Sequence, residues 1–389
     1  MVKKINILVL GTKEYPMYTN QGEDKISSGG IETFVQGFTK SLESDNQINL
    51  KIITRKFKTT PSYEQHNNIE TYRVRWLSGF WLRNPTFNTL AFFKALTLKC
   101  DMIISNGVIA TLMANILGRI KGVPVIAIPH GIAHVQPQYK PRIQKILKIL
   151  EEEAYSSAEK VIALSEEEKI RLTNFRTILQ SRIRVIPQAV DFDKFNFTEQ
   201  EKRDNLKQTL NISPNDTVIT FLGRLSPVKG INYLIEAVHK LKQQGISNYK
   251  LVIVGDGTER EALFKQAYNL FKEETNKQIL FIQFTDAVPQ LLSITDIFVL
   301  PSLSEGMPVA LLEAFASKKQ CVVTDIGLPI TDKQAKIVPP KDADALAQAI
   351  SSLIQHPQPQ LAEEAYNFAK SRSWKSTITT WKQEILSSL

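Results

Sequence analysis

Ile297-Phe298-Val299-Leu300-Pro301-Ser302-Leu303-Ser304-Glu305-Gly306-Met307-Pro308-Val309-Ala310-Leu311-Leu312-Glu313-Ala314 passes from an apolar run through a turn into a helical pattern. Four successive large apolar residues without alternation read as a strand buried on both faces, as in a parallel sheet. Gly306 lets the backbone approach a ligand closely, and Pro308 suits the first helical position. The stretch is therefore a strand–loop–helix with free amides at a helix N-terminus. One carboxylate stands on each side of them, Glu305 in the loop and Glu313 in the helix. Such amides favour anionic or hydroxyl-rich ligands, and a carboxylate can accept from two hydroxyls of a sugar or ribose at once. Taken alone, the same residues also fit an ordinary turn with two surface acids.

Outward from this stretch the pattern recurs. Apolar runs at 217–221, 251–254, 279–284 and 321–324 alternate with helical segments, and an equivalent series lies upstream at 5–10, 50–54, 102–105, 125–129, 160–164 and 183–186. Strands spaced by helices imply parallel sheets with covered faces. At 389 residues the chain suits two domains rather than one core. The polar, Asn/Asp-rich stretch between the two series is the natural linker. The expected division is 1–190, a linker 191–214, a second domain 215–372 and a last helix 373–389 holding Trp374 and Trp381. The expected class is α/β, with two doubly wound, Rossmann-like domains facing a central cleft at the carboxyl ends of their strands.

Composition excludes several classes. With 43% hydrophobic and 22% charged residues the chain is globular, and no apolar run is long enough to span a bilayer. The run 5–10 behind Lys3-Lys4 lacks the long apolar core and cleavage site of a signal peptide. Cys100 and Cys321 alone support neither a disulfide framework nor a cysteine metal site. These features point to the cytoplasm. Residues 1–190 hold 26 basic and 16 acidic residues, a balance of +10 against +9 for the whole chain. No nucleic-acid motif accompanies that excess, so it suggests anionic lipid head groups or an anionic substrate.

Further motifs fall at strand ends. Gly223-Arg224-Leu225-Ser226-Pro227-Val228-Lys229-Gly230 follows the run 217–221 and precedes an amphipathic helix. A guanidinium fork, a point charge and helix amides together suit a diphosphate, although two solvated cations would give the same letters. Asp256, between Gly255 and Gly257, is placed to cap the next helix or to meet a ligand hydroxyl. Gly29 and Gly30 open a helix with a turn whose amides can face phosphate or sugar. His130, before Gly131, ends the strand 125–129.

In this order the pieces resemble the retaining glycosyltransferases of family 4, with the GT-B fold. The elements are Gly29-Gly30-Ile31-Glu32, His130-Gly131, Val185 to Asp191 before Phe195, Gly223-Arg224-Leu225 with Lys229-Gly230, Gly255-Asp256-Gly257, and Pro301-Ser302 with the Glu305/Glu313 pair. The resemblance implies that Arg224 and Lys229 hold the donor diphosphate, and that Glu313 binds the ribose. It implies that Glu305 and the amides of Gly306, Met307, Pro308 and Val309 hold the donor sugar and pyrophosphate. His130 would lie near the reacting sugar, and Gly29 and Gly30 would close over phosphates or acceptor. Phe284 would lie near the base pocket, next to Gln283 where the family often has glycine. Lys318-Lys319-Gln320-Cys321-Val322 likewise replaces a usual Gly-x-Pro-Val.

The resemblance further implies a nucleotide-diphosphate sugar as donor substrate, with no other cofactor and no metal. Asp191-Phe192-Asp193 spells a metal-binding triplet of a different fold and is rejected as a site here. The acceptor expected is a glycolipid, a polyprenyl-linked sugar or a surface polysaccharide, with peripheral contact at the inner membrane face. For that side the aromatic and basic stretch Tyr72 to Arg83 and the basic amphipathic segment Tyr139 to Leu150 are candidates, each equally able to pack on a core. The last helix would cross back to the first domain. A nucleotide-sugar epimerase would instead release epimerised donor, and a non-catalytic relative would bind donor without consuming it.

Overall fold

A computed structural model describes residues 4–16, 29–79, 82–136, 139–175, 180–195, 199–283 and 285–389. The chain forms two compact units, Met1–Gln188 with Trp374–Leu389, and Ala189–Ser373.

The first unit is built on eight strands: β1 (Ile5–Leu10), β2 (Ile48–Arg55), β3 (Tyr63–His66), β4 (Ile69–Val74), β5 (Met102–Asn106), β6 (Val125–Ile128), β7 (Lys160–Ala163) and β8 (Ile183–Val185). They lie in the order β3-β4-β2-β1-β5-β6-β7-β8. All pairings are parallel except β3 with β4. The β3–β4 hairpin was not legible as two strands. In β4, Ile69, Thr71 and Arg73 face inward, and the buried Arg73 is paired with Glu64 at 2.7 Å. A polar alternation of that kind reads as surface.

The second unit has six parallel strands, β9 (Thr217–Leu222), β10 (Tyr249–Val254), β11 (Ile279–Ile282), β12 (Ile297–Leu300), β13 (Gln320–Thr324) and β14 (Lys336–Val338). Their order is β11-β10-β9-β12-β13-β14, the doubly wound arrangement in which strand order reverses beside the first strand. Successive side chains point to opposite faces. Ile219, Phe221, Leu251, Ile253, Val299 and Val322 pack into one core. Val218, Leu222, Val252, Val254, Phe298 and Leu300 pack into the other. Both faces are covered, which is why these strands read as unbroken apolar runs.

Residues 191–214, read from sequence as a linker, belong to the second unit. They carry a helical turn at Phe192–Phe195 and the helix Gln200–Thr209, and Phe195 and Ile212 enter that unit's core. The last helix, Trp374–Leu386, belongs to the first unit. Trp381 is fully buried there, edge-on to Phe34 and Phe38 of the helix Gly30–Leu42.

Candidate active site

In open parallel sheets ligands bind beyond the carboxyl ends of the strands where strand order reverses. In the second unit that point lies between β9 and β12. The loop after β9 makes a single turn at Pro227–Lys229, and Gly230 then opens the helix Ile231–Gln243 with φ +62°. A Cβ on Gly230 would stand 2.1 Å from the carbonyl oxygen of Pro301 at the end of β12. Only glycine allows this approach of backbones. The contact is completed by Leu303, whose amide donates to Val228 O at 2.7 Å.

This bracing puts the Lys229 ammonium against Glu305 Oε1 in an ion pair. The same oxygen accepts a hydrogen bond of 2.8 Å from the buried Ser302 hydroxyl. Lys229 and Glu305, 76 positions apart, are thus brought into one constellation. Arg224 is exposed in the same loop. Glu313 lies on the helix Val309–Ala316, half-buried. Burial raises its carboxyl to about 7, against the opposing pull of Lys194.

Several expected details differ. Pro308 occupies the N-cap rather than the first helical position, and it has no N–H to donate. The amides that open this helix are therefore those of Gly306, Met307 and Val309. The Met307 side chain is core, so only its backbone can meet a ligand. Asp256 does not cap the following helix, Arg260–Phe271, whose N-cap is Glu259. Its Oδ1 instead accepts from the Gly257 amide at 2.8 Å. A Cβ on Gly257, at φ +158°, would lie 2.1 Å from Leu225 O, so this glycine serves loop-to-loop packing. Phe284 lies outside the described residues. Lys318, where the family often has glycine, takes φ +52° just past the helix end and is held by Glu363 at 2.7 Å.

His130 belongs to the first unit and adopts φ +58° beyond β6. Asn106, ending β5, donates its Nδ2 to Leu10 O at 2.9 Å, so its Oδ1 faces the His130 ring. His130 Nε2 donates to that oxygen across 2.8 Å, which leaves Nδ1 as an acceptor. The Phe34 ring packs edge-on, 4.9 Å from it. Burial lowers the imidazole to about 3, so the ring is neutral at physiological pH.

Gly29 and Gly30 stand at the start of the helix Gly30–Leu42, but the Gly29 amide donates to Glu32 Oε2 at 3.0 Å. Neither glycine takes a positive φ, and a Cβ at Gly30 would meet nothing. Residues 17–28, which lead into this turn, lie outside the described residues.

Residues missed by sequence reasoning shape the loop after His130. Glu168 accepts from the Gly131 amide at 2.5 Å and from the Leu164 amide at 2.7 Å. Burial raises its carboxyl and those two amides pull it back. Glu151, fully buried, accepts from the Ala133 amide at 2.6 Å and from His134 Nδ1 at 2.5 Å. Both acids sit in runs that look like solvated charge, Glu151-Glu152-Glu153 and Glu166-Glu167-Glu168. The available signal was helical spacing: Glu151 shares a face with Ala154 and Tyr155, and Glu168 with Leu172. Two more buried charges follow β1 and end β2. Burial and the neighbouring Glu32 raise Glu14 to about 7, and burial lowers Arg55 to about 10.

The aromatic and basic stretch Tyr72 to Arg83 is partly structural. Trp76 Nε1 donates to Lys56 O at 3.0 Å, and the Arg55 guanidinium lies 5.1 Å from its ring centre. Phe80 and Trp81 lie outside the described residues. Among those described, no three His, Cys, Asp or Glu side chains gather as a metal group, and no helix is long and apolar enough to cross a membrane.

Comparison with known proteins places the chain in a family and a fold. Residues 202–372 match the family Glycosyl transferases group 1, and residues 28–194 match Glycosyltransferase Family 4. The chain is 32% identical over 232 residues to the UDP-Gal:alpha-D-GlcNAc-diphosphoundecaprenol alpha-1,3-galactosyltransferase of Escherichia coli, covering 59% of this chain and 58% of that one. It is 28% identical over 337 residues to the putative teichuronic acid biosynthesis glycosyltransferase TuaC of Bacillus subtilis, covering 82% and 80%. The structure of Anabaena Alr3699/HepE in complex with UDP and glucose superimposes with a TM-score of 0.78 at 22% identity, over 98% of this chain and 99% of that one. The chain belongs to the family 4 glycosyltransferases of the group 1 type, with a GT-B fold.

Proposed function

We propose that the protein transfers a sugar from a nucleotide-diphosphate donor to a glycolipid, polyprenyl-linked or surface-polysaccharide acceptor, with retention of configuration and without a metal ion. The observation that carries this reading is the Lys229–Glu305–Ser302 constellation where strand order reverses in the second unit. A cation held by a carboxylate is pre-positioned for a diphosphate that takes over part of its charge. Arg224 and Lys229 hold the diphosphate and neutralise it as it leaves. Glu305 and the amides of Gly306, Met307 and Val309 orient the donor sugar and pyrophosphate, and Glu313 accepts from the ribose hydroxyls. His130 offers its neutral Nδ1 to a hydroxyl of the reacting sugar. Gly29 and Gly30 border the phosphates or acceptor, and Asp256 and Phe284 border the nucleotide.

The leaving phosphate takes the acceptor proton on the face it vacates, so no protein nucleophile is used. The protein supplies positioning and charge stabilisation. The lipid-linked substrate of the Escherichia coli relative and the polymer of the Bacillus subtilis relative support the acceptor class. The basic excess of residues 1–190 supports work at the cytoplasmic face of a membrane.

The test is incubation with UDP-, GDP- and ADP-sugars and a lipid-diphosphate saccharide, with and without a chelator. We expect acceptor-dependent release of one nucleoside diphosphate, indifferent to the chelator, and a product that keeps the donor's anomeric configuration. Epimerised free donor, or donor binding without turnover, would overturn the proposal.

A further inference from the structure

The helix Pro141–Ser156 buries only Glu151, Ala154 and Tyr155. None of its first ten residues is buried, and Ile143, Ile146 and Ile149 are 44%, 58% and 65% exposed. Their spacing of three puts them on one stripe. The segment Tyr139 to Leu150, expected as one basic amphipathic stretch, carries Ile143 and Ile146 beside Leu147 and Leu150. The structure separates them: the two leucines are half-buried and the isoleucines face out. This helix is the next element after β6, across residues 129–140, so it starts from the carboxyl edge of the first unit's sheet. Ile109, in the first turn of the neighbouring helix Val108–Lys121, is exposed at the same edge, as is Val135 in the loop before Pro141. Single exposed apolar residues are ordinary. A clustered stripe of them calls for a partner.

Charge identifies the partner. Between residues 82 and 150 there are nine Lys and Arg residues and one acidic residue, Asp101. Most of the chain's net positive charge therefore arises there. Lys140, Arg142, Lys145 and Lys148 flank the isoleucine stripe, and Arg142, Lys145 and Lys148 are exposed. A second copy of this chain would bring like charges together over such a face. An anionic lipid surface supplies the opposite charge and an apolar layer of the depth that isoleucines reach.

We infer that this edge of the first unit, centred on Ile143, Ile146 and Ile149, docks on anionic bilayers. The inference deepens the lipid-linked acceptor reading by naming the face that meets the membrane. Docking there holds the carboxyl edge, which carries His130, close to the headgroup layer, where a lipid diphosphate saccharide emerges.

The test is flotation of the full chain with vesicles of phosphatidylcholine, with or without phosphatidylglycerol, at low and high salt. The expected result is binding only with phosphatidylglycerol, weakened by salt. The pair Lys145→Gln/Lys148→Gln should lower partitioning by roughly fivefold per cation removed. The pair Ile146→Ser/Ile149→Ser should lower it at low salt while leaving the thermal transition in place. Absent binding to phosphatidylglycerol vesicles, or binding untouched by both pairs, would overturn the inference. So would a concentration-dependent dimer that the isoleucine changes dissolve, because it would give the face to a second copy. Stabilisation by nucleotide sugars, measured on the same proteins without vesicles, separates the two readings. Donor binding without docking refutes only the membrane face, and docking without donor binding refutes only the transferase proposal.

Discussion

The carboxyl edges of the two sheets are built from different materials. In the second unit, loops brace one another backbone to backbone. Gly230 lies against Pro301 O and Gly257 against Leu225 O, and Lys229, Glu305 and Glu313 stand partly open on that frame. In the first unit, long-range side chains do the bracing. Asn106 ties β1, β5 and His130 together, while Glu151 and Glu168 gather the amides of the loop that follows. The former edge leaves charges available to a charged ligand. The latter buries its carboxylates, Glu151 and Glu168, and presents a neutral imidazole. A donor rich in phosphate suits the first arrangement, and a hydroxyl-bearing sugar suits the second.

This contrast can be broken at several points. The largest effect belongs to the first unit's aromatic buttress. Trp381 packs on Phe34, which packs on His130. Trp381→Ala should cost about 3–5 kcal/mol of stability by leaving a cavity, read as a fall in the denaturant midpoint. A loss below 1 kcal/mol would show that the last helix does not support this edge. Next, Lys229→Ala should lower turnover by roughly a hundredfold, because a leaving diphosphate loses its counter-charge, with little change in thermal stability. Near-wild-type turnover would remove Lys229 from the donor site. Glu168→Gln should cost about 1–3 kcal/mol, since its amide nitrogen would face the N–H of Leu164 or Gly131. An unchanged midpoint would show that this carboxylate does not brace the loop.

These contrasts also explain what the sequence could disclose. The contacts at the second unit's edge were legible because each part is a short contiguous string: Gly223 to Gly230, Gly255 to Gly257, Pro301 to Glu313. Backbone-to-backbone contacts demand glycine at fixed positions, so the letters survive as a pattern. Apart from β3, β4 and β14, the strands of both sheets were legible from apolar runs of the same kind, whereas their order in each sheet was not. The first unit's edge was opaque because its contacts join distant residues, Gly131 with Glu168 and Ala133 with Glu151, through acids that resemble solvated runs. The β3–β4 hairpin was hidden for a related reason, since Arg73 is buried on an ion pair that composition cannot show. At Gly29 the letters suggested a phosphate-facing amide, whereas the neighbouring Glu32 takes it.

The smallest effect is one of pH. The Glu313 carboxyl, ordinarily near 4.5, is raised to about 7 by burial, so the folded chain holds that proton more tightly than the unfolded one. Its stabilising contribution is complete below about 4.5 and lost as pH rises through about 7. Glu14 titrates over the same range, so the comparison of interest is wild type against Glu313→Gln. The variant should lose less stability between pH 5 and pH 8, taken as roughly the two ends of that window. Identical pH slopes would mean that Glu313 titrates as a solvated acid. In the ligand-bound protein the direction reverses. A ribose hydroxyl bonds best to the ionised carboxylate, so donor affinity should rise as pH climbs through about 7.

The central claim is that the edge between β9 and β12 binds a nucleotide-diphosphate sugar, and calorimetric titration tests it most directly. The wild-type chain and Glu313→Ala would each be titrated with UDP-, GDP- and ADP-sugars. The account predicts saturable binding of one nucleotide class by the wild type, and affinity lowered at least tenfold in Glu313→Ala, about 1.4 kcal/mol. Equal affinity in the two proteins, or heat from no nucleotide sugar at all, would contradict it.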